Sequence, residues 1–160
     1  MIEAIFVSKK PRDPLLQANE VQVVAGAGIT GDRHFRKRRY PGQNITFIAR
    51  ETIERYNHDY GQAIRLDATR RNVLTYGVDL NALVGKEFKI GSALFYGVEL
   101  CEPCSVLGKL LENSTITPSE VIKAFYNKGG LRADIIRGGI LRTGMQINVT
   151  NNQSTNGDLS

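Results

Sequence analysis

The chain has 160 residues, a net charge of +5 and a pI near 9.4. This length fits one domain that buries its own core, and two cysteines are too few for a disulfide framework. No apolar run is long enough to cross a bilayer, and the first 14 residues lack the segments of a signal peptide, so we expect a cytoplasmic protein without membrane association. The positive charge favours an anionic partner such as phosphate, nucleic acid or an acidic protein surface.

Short apolar segments of strand length dominate the first half of the chain. Ile2–Val7 is one such segment, and residues 21–24 and 44–48 are two more. A change to helical spacing predicts a helix through Ala49, Ile53, Tyr56 and Tyr60. After it, a short strand is expected at residues 73–74.

The second half predicts hairpins and two further helices. Residues 87–90 alternate between polar and apolar, and a turn at 91–92 leads into a strand over 93–100. Apolar spacing predicts a helix that begins at or just after Cys104, and a capping box with proline predicts another from Thr117 to about Gly129. Strands are then expected over 133–136, 140–141 and 145–149.

Many short strands with glycine turns and few helices favour a mainly β fold, a β-barrel with interposed helices. No repeat and no linker-like change of composition divides residues 1–149, so we expect one domain there. Residues 150–160 have almost no charge and no apolar period, which predicts a disordered C-terminal tail.

Cys101 and Cys104 form the first segment that could carry chemistry. A strand ends before them, Pro103 blocks its continuation, and a helix N-terminus at Cys104 would favour a thiolate, which is a nucleophile and a soft metal ligand. Other interpretations stay open: two small buried hydrophobes, a redox pair, or a zinc site completed by His34 and His58.

Three further segments are rich in groups that bind anions. Asp32, Arg33 and His34 follow a glycine-rich turn and lead into a basic run, residues 36–39, which is either an anion-binding loop or a solvated one. Arg70 and Asn72 precede a strand, where alternation would point both side chains to one ligand and Arg71 away, unless they form a solvated edge. Arg132 either reaches an anion or caps the preceding helix.

Taken in order, these motifs resemble a MOSC domain, the module named after the C-terminal portion of molybdenum-cofactor sulfurases. The resemblance extends from the first strand to about Val149. It is carried by Gly31-Asp32-Arg33-His34, residues 43–48, Arg70 with Asn72, residues 77–80 and 83–91, Pro103-Cys104, and Gly129-Gly130-Leu131-Arg132 with Gly138, Gly139 and Gly144. Glu102 departs from the pattern, because many members carry arginine two residues before the cysteine.

The resemblance implies a pyruvate-kinase-barrel-like β-barrel in which Cys104 carries sulfur or ligates molybdenum. It also implies that Asp32, Arg33, His34, Arg70, Asn72 and Arg132 bind the phosphate or pterin of a molybdenum cofactor (molybdopterin). The expected function is a sulfurtransferase-type carrier that takes sulfane sulfur from a cysteine desulfurase-like partner, the holder of any pyridoxal phosphate, and delivers it to a molybdenum-cofactor or metal–sulfur centre.

Three alternatives remain at this point. Cys104 could ligate molybdenum in a reductase of N-hydroxylated compounds. The barrel could instead be a phosphate- or nucleic-acid-binding module, although the basic run lacks interleaved aromatic residues that would stack on bases, which disfavours nucleic acid. Finally, Cys101 and Cys104 could act together as a reversible disulfide.

Overall fold

The structure is a computed structural model that describes residues 1–151. The predicted tail, residues 150–160, lies outside the described residues from position 152 onward. At position 150, the backbone N–H of Thr150 donates to the carbonyl of Glu87 at 3.1 Å. Within residues 1–151, no helix is both long enough and apolar enough to span a membrane.

The fold is mainly β, as predicted. In chain order, the strands are β1 (Ile2–Val7), β2 (Leu16–Ala18), β3 (Glu20–Val24), β4 (Gly28–Ile29), β5 (Ile45–Ala49), β6 (Val73–Thr75), β7 (Glu87–Ile90), β8 (Ala93–Leu100), β9 (Leu131–Arg137), β10 (Gly139–Arg142) and β11 (Asn148–Val149). Eight of them form one curled sheet in the order β11-β7-β8-β9-β5-β6-β1-β2. A second sheet has the order β10-β3-β4.

Strand β5 is apolar on both faces because both faces are covered. Ile45 and Phe47 belong to the interior cluster of the barrel, where the ring of Phe47 meets those of Phe88 and Phe95 edge-on at centroid distances of 5.7 and 5.9 Å. Ile48 alternates to the opposite face and packs in the cluster that the helices cover. Alternation along β5 therefore joins the two halves of the core.

Three α-helices are found within residues 1–151, at the three predicted places: α1 (Arg50–Tyr60), α2 (Ser105–Leu111) and α3 (Pro118–Phe125). The predicted capping box is present, since Thr117 Oγ1 accepts from the Glu120 N–H and the Glu120 carboxylate accepts from the Thr117 N–H. Helix α3 ends earlier than Gly129, because Tyr126 leaves the helical region at φ −56° and ψ 126°.

The strand predicted over residues 145–149 is shorter than expected. Only Asn148–Val149 pairs in the sheet, with β7. Gly144 adopts φ +88°, and the turn there brings the Gly144 N–H to the Ile2 carbonyl at 2.8 Å while the Met145 carbonyl accepts from the Ile2 N–H. Met145 is therefore held by Ile2 at the start of β1 and does not extend the pairing of β11 with β7.

Candidate functional site

A surface cleft of about 230 Å³ lies around Cys104. It is built from the turn that follows β4, the loop that precedes β6, the N-terminal part of α2 and strand β9. We call it the Cys104 cleft; its lining residues are Arg33, His34, Thr69, Arg70, Arg71, Glu102, Cys104, Val106, Leu107, Leu110 and Arg132. Five of the seven residues predicted from the sequence thus meet in one place.

Cys104 is exposed and lies directly before α2, where its carbonyl accepts the Gly108 N–H at 3.0 Å. Its side chain makes no capping hydrogen bond. Cys101 is buried, with 1% of its surface exposed, and burial raises the pKa of its thiol. The two cysteines therefore occupy different environments: Cys104 faces the cleft and Cys101 packs in the interior.

Asp32 organises the turn that carries Arg33 and His34. Its buried carboxylate accepts from the Ser8 N–H at 3.1 Å and from the His34 N–H at 3.2 Å, and lies 3.6 Å from Arg33 Nη1. Arg33 also donates from Nη2 to the carbonyl of Arg70 at 3.3 Å. Asp32 does not line the cleft; it positions the two residues that do.

Arg33 is the largely buried arginine of this turn. Its side chain is only 10% exposed, and within the described part of the chain Nη1 is buried without a hydrogen-bond partner. Burial lowers the pKa of Arg33, and the charges of Arg70 and Arg71 add to that effect while Asp32 opposes it. Arginine keeps its charge at neutral pH all the same, so the cleft holds an incompletely solvated cation.

His34 is half-buried in the cleft and lies near several cations. Burial lowers its pKa, the neighbouring Arg33 lowers it further, and Asp32 opposes the shift. Lys37 and Arg132 act in the same direction as Arg33. A neutral imidazole is therefore favoured beside the arginines in the absence of an anion.

The geometry predicted for Arg70, Arg71 and Asn72 was wrong. Arg70 has φ +59° and precedes β6, so strand alternation does not govern these side chains. Arg70 and Arg71 both line the cleft; the former donates from Nη2 to the Asp13 carbonyl at 2.9 Å and the latter from Nε to the Gly129 carbonyl at 3.1 Å. Arg71 does not face away.

Asn72 is buried and does not line the cleft. Its Oδ1 accepts from the backbone N–H of Thr46 at 3.1 Å and from Thr46 Oγ1 at 3.2 Å, and its Nδ2 donates to the Phe6 carbonyl at 3.3 Å. These bonds join the start of β6 to β5 and β1. The side chain is committed to protein partners, so its place is structural.

Arg132 enters the cleft from β9, opposite Thr46 of β5. Its Nη1 donates to the Tyr40 hydroxyl at 2.8 Å, and its guanidinium lies 5.2 Å from the centre of that ring. Glu99 lies 3.9 Å from Nε. The alternative that Arg132 caps the preceding helix is wrong, because its guanidinium is held by Tyr40.

Two lining residues had no signal in the sequence. Arg71 was expected on the opposite side, and Thr69 lies in an irregular loop where no periodicity places its side chain. Thr69 is 3% exposed, and its Oγ1 has no hydrogen-bond partner among residues 1–151. Their place in the cleft depends on the fold, which brings the loop before β6 next to α2.

The basic run, residues 36–39, lies outside the cleft and is exposed. Arg36 lies 5.2 Å from the ring of Phe35, and Arg38 pairs with Asp134 at 3.1 Å. Among residues 1–151, no group of three or more His, Cys, Asp and Glu side chains is placed to hold a metal ion. Cys101, Cys104, His34 and His58 therefore do not form the zinc site considered from the sequence.

Solved structures share this architecture. YuaD from Bacillus subtilis superposes with a TM-score of 0.79 at 20% identity, covering 92% of this chain and 93% of that one. YiiM from Geobacillus stearothermophilus gives 0.70 at 18% identity (94% and 75% covered), and YiiM from Escherichia coli gives 0.68 at 17% identity (93% and 69% covered). At such identities the likeness establishes the fold alone.

No functionally curated protein matches the sequence. The family model described as the MOSC domain matches residues 30–148, which include every residue that lines the Cys104 cleft. That span is well over half of the chain. The chain therefore belongs to the MOSC domain family.

Proposed function

We propose that this MOSC domain is a sulfur carrier, in which Cys104 holds a sulfane sulfur as a persulfide and passes it to a metal–sulfur or molybdenum-cofactor centre. One observation carries the proposal: the exposed Cys104 opens onto a cleft lined by four arginines, Arg33, Arg70, Arg71 and Arg132. A persulfide is anionic, and nearby cations stabilise the anionic form of a sulfur group.

Loading begins from a pyridoxal-phosphate-dependent, cysteine desulfurase-like partner. The Cys104 thiolate attacks the outer sulfur of the partner's cysteine persulfide; the new Sγ–S bond forms as the partner's S–S bond breaks, and the partner's thiolate leaves. Val106 and Leu110, 71% and 46% exposed, stand beside Cys104 and offer an apolar contact for the partner's loop. Delivery repeats the same displacement when a thiolate of the acceptor attacks the outer sulfur of the persulfide: a new S–S bond forms as the Sγ–S bond breaks, and the Cys104 thiolate leaves.

The lining residues also fit the phosphate end of a molybdenum cofactor that binds at the mouth of the cleft. Its phosphate would be held by the arginines of the cleft, because guanidinium groups suit phosphate oxygens. Cys104 would supply a thiolate ligand, a soft donor. When bound, the cofactor supplies a redox-active metal. Glu102 is the one carboxylate among the lining residues and works against an anionic ligand.

Mass spectrometry tests the carrier function. The protein is incubated with a cysteine desulfurase and cysteine, and the peptide containing Cys104 is analysed for one added sulfur. We expect that addition on Cys104 in the wild type and in Cys101→Ser, and none in Cys104→Ser. A known carrier loaded under the same conditions provides the positive control; its loading without any on Cys104 contradicts the proposal.

Metal analysis separates the carrier from the reductase alternative. The protein is produced in a host that makes molybdenum cofactor and is then analysed for molybdenum. Stoichiometric molybdenum that is lost in Cys104→Ser, together with reduction of an N-hydroxylated compound by the loaded protein, would favour the reductase over the carrier.

A further inference from the structure

The Cys104 cleft is small. At about 230 Å³ it is below the roughly 300 Å³ at which pockets for drug-sized ligands begin. A ligand that enters it fully is therefore only a few atoms across. A larger molecule can still bind at the mouth of the cleft. Only a small ligand, however, can enter the cleft and contact the arginines and Cys104 together.

Charge defines that small ligand as an anion. Four arginines line the cleft against one acidic residue, Glu102. Two of the lining residues are largely withdrawn from water, since the side chain of Arg33 is 10% exposed and Thr69 is 3% exposed. A guanidinium that is poorly hydrated favours a ligand that brings several acceptor oxygens.

The opposite wall is apolar and carries the thiol. Val106, Leu107 and Leu110 lie beside Cys104 along α2. A polarisable, weakly hydrated atom suits this wall, whereas the oxygens of the ligand suit the arginines. The cleft thus matches an anion with two different ends: an oxyanion and a soft sulfur.

We infer that the Cys104 cleft binds a small thiosulfonate-type anion, a sulfane sulfur joined to an oxyanion, and that Cys104 takes its sulfur directly. This rests on the proposed persulfide chemistry of Cys104 and names a donor for it that needs no desulfurase. The thiosulfonate group has the composition that the cleft selects, with oxygens for the arginines and a sulfur for the thiolate.

For thiosulfate, the reaction balances without an added oxidant or reductant. The Cys104 thiolate attacks the outer sulfur, an Sγ–S bond forms, and the S–S bond of thiosulfate breaks with its electron pair on the leaving sulfite. A thiolate and a thiosulfate dianion become a persulfide anion and a sulfite dianion. The proton of the resting thiol goes to the solvent. The arginines stabilise the developing sulfite charge.

The experiment uses the full chain with thiosulfate as the probe. Sulfite release and the persulfide on the Cys104 peptide are measured together. We expect equal amounts of both in the wild type and neither in Cys104→Ser. Arg33→Met should slow sulfite release by tenfold or more, whereas Arg39→Met, which removes the same charge from outside the cleft, should change it by less than twofold. Urea-unfolded protein gives the rate of an ordinary cysteine.

The outcomes separate this inference from the carrier proposal. If a desulfurase loads Cys104 but thiosulfate does so no faster than in unfolded protein, the inference is overturned and the carrier proposal stands. If neither donor loads Cys104, both are overturned. If thiosulfate alone loads it, the inference holds and the desulfurase partner is excluded as the required donor. A loss of folding in Arg33→Met would show in its unfolding curve, and Arg132→Met then serves as the second cleft variant.

Discussion

Replacement of Arg33 by methionine should weaken the binding of sulfate, a simple oxyanion, by about ten- to a hundredfold. Methionine keeps much of the apolar length of the side chain but removes the guanidinium whose Nη1 is buried and unpaired within the described chain. A hydrogen bond to a charged group contributes about 1.5–3 kcal/mol, and each 1.4 kcal/mol is tenfold in affinity. Isothermal titration calorimetry at constant ionic strength measures the change.

Arg39→Met is the matched control for this prediction. Arg39 lies in the basic run, residues 36–39, is exposed and does not line the cleft. Its charge is screened over about 8 Å at physiological ionic strength, so its loss should weaken sulfate binding less than twofold. Equal losses in the two variants would mean that sulfate responds to net charge and not to the cleft, and the reasoning would be refuted.

Three further predictions follow from the surroundings of the cleft. Asn72→Ala should lower the free energy of unfolding in urea by about 2–4 kcal/mol, because it leaves buried groups of Thr46 and β1 unpaired. The affinity for sulfate should stay within twofold of the wild type. A normal stability with a lost affinity for sulfate would instead make Asn72 a ligand-binding residue. Gly130→Ala should lower the free energy of unfolding by about 2–5 kcal/mol in the same assay, because the φ of Gly130 is +101° and a Cβ there would overlap the Phe47 carbonyl oxygen. An unchanged free energy of unfolding would contradict this packing. Burial lowers the pKa of His34 in the folded protein, so the folded state binds fewer protons than the unfolded chain and stability should fall as pH falls below about 6.5. NMR titration should show a lowered pKa for His34 that rises when sulfate binds. A pKa at or above that of a free histidine would contradict the burial.

Local chemistry made much of the fold predictable. The capping box at Thr117 and the spacing of Ile53 and Tyr56 located α3 and α1, because each depends on residues within a few positions. The strand predicted at residues 145–149 forms only at Asn148–Val149 for the opposite reason: Gly144 and Met145 bond to Ile2, a partner at the other end of the chain. No local pattern contains that contact.

The site was predictable in its members more than in its geometry. Arg33, His34, Arg132 and Cys104 were expected on one ligand through the family resemblance, and the fold brings them to one cleft. The positions of Arg71 and Asn72 were not predictable, because both residues precede β6 and follow a left-handed φ at Arg70, so strand alternation does not govern them. A positive φ at a residue other than glycine has little sequence signature.

Cys104 and the arginines line one cleft, so an anion bound by the arginines should shield the thiol. The most direct test is the rate at which iodoacetamide, a neutral reagent, alkylates Cys104 as sulfate is added at constant ionic strength. Bound sulfate should slow alkylation several-fold in the wild type and in Arg39→Met, with little protection in Arg33→Met. Alkylation at the same rate at every sulfate concentration in the wild type would contradict the claim.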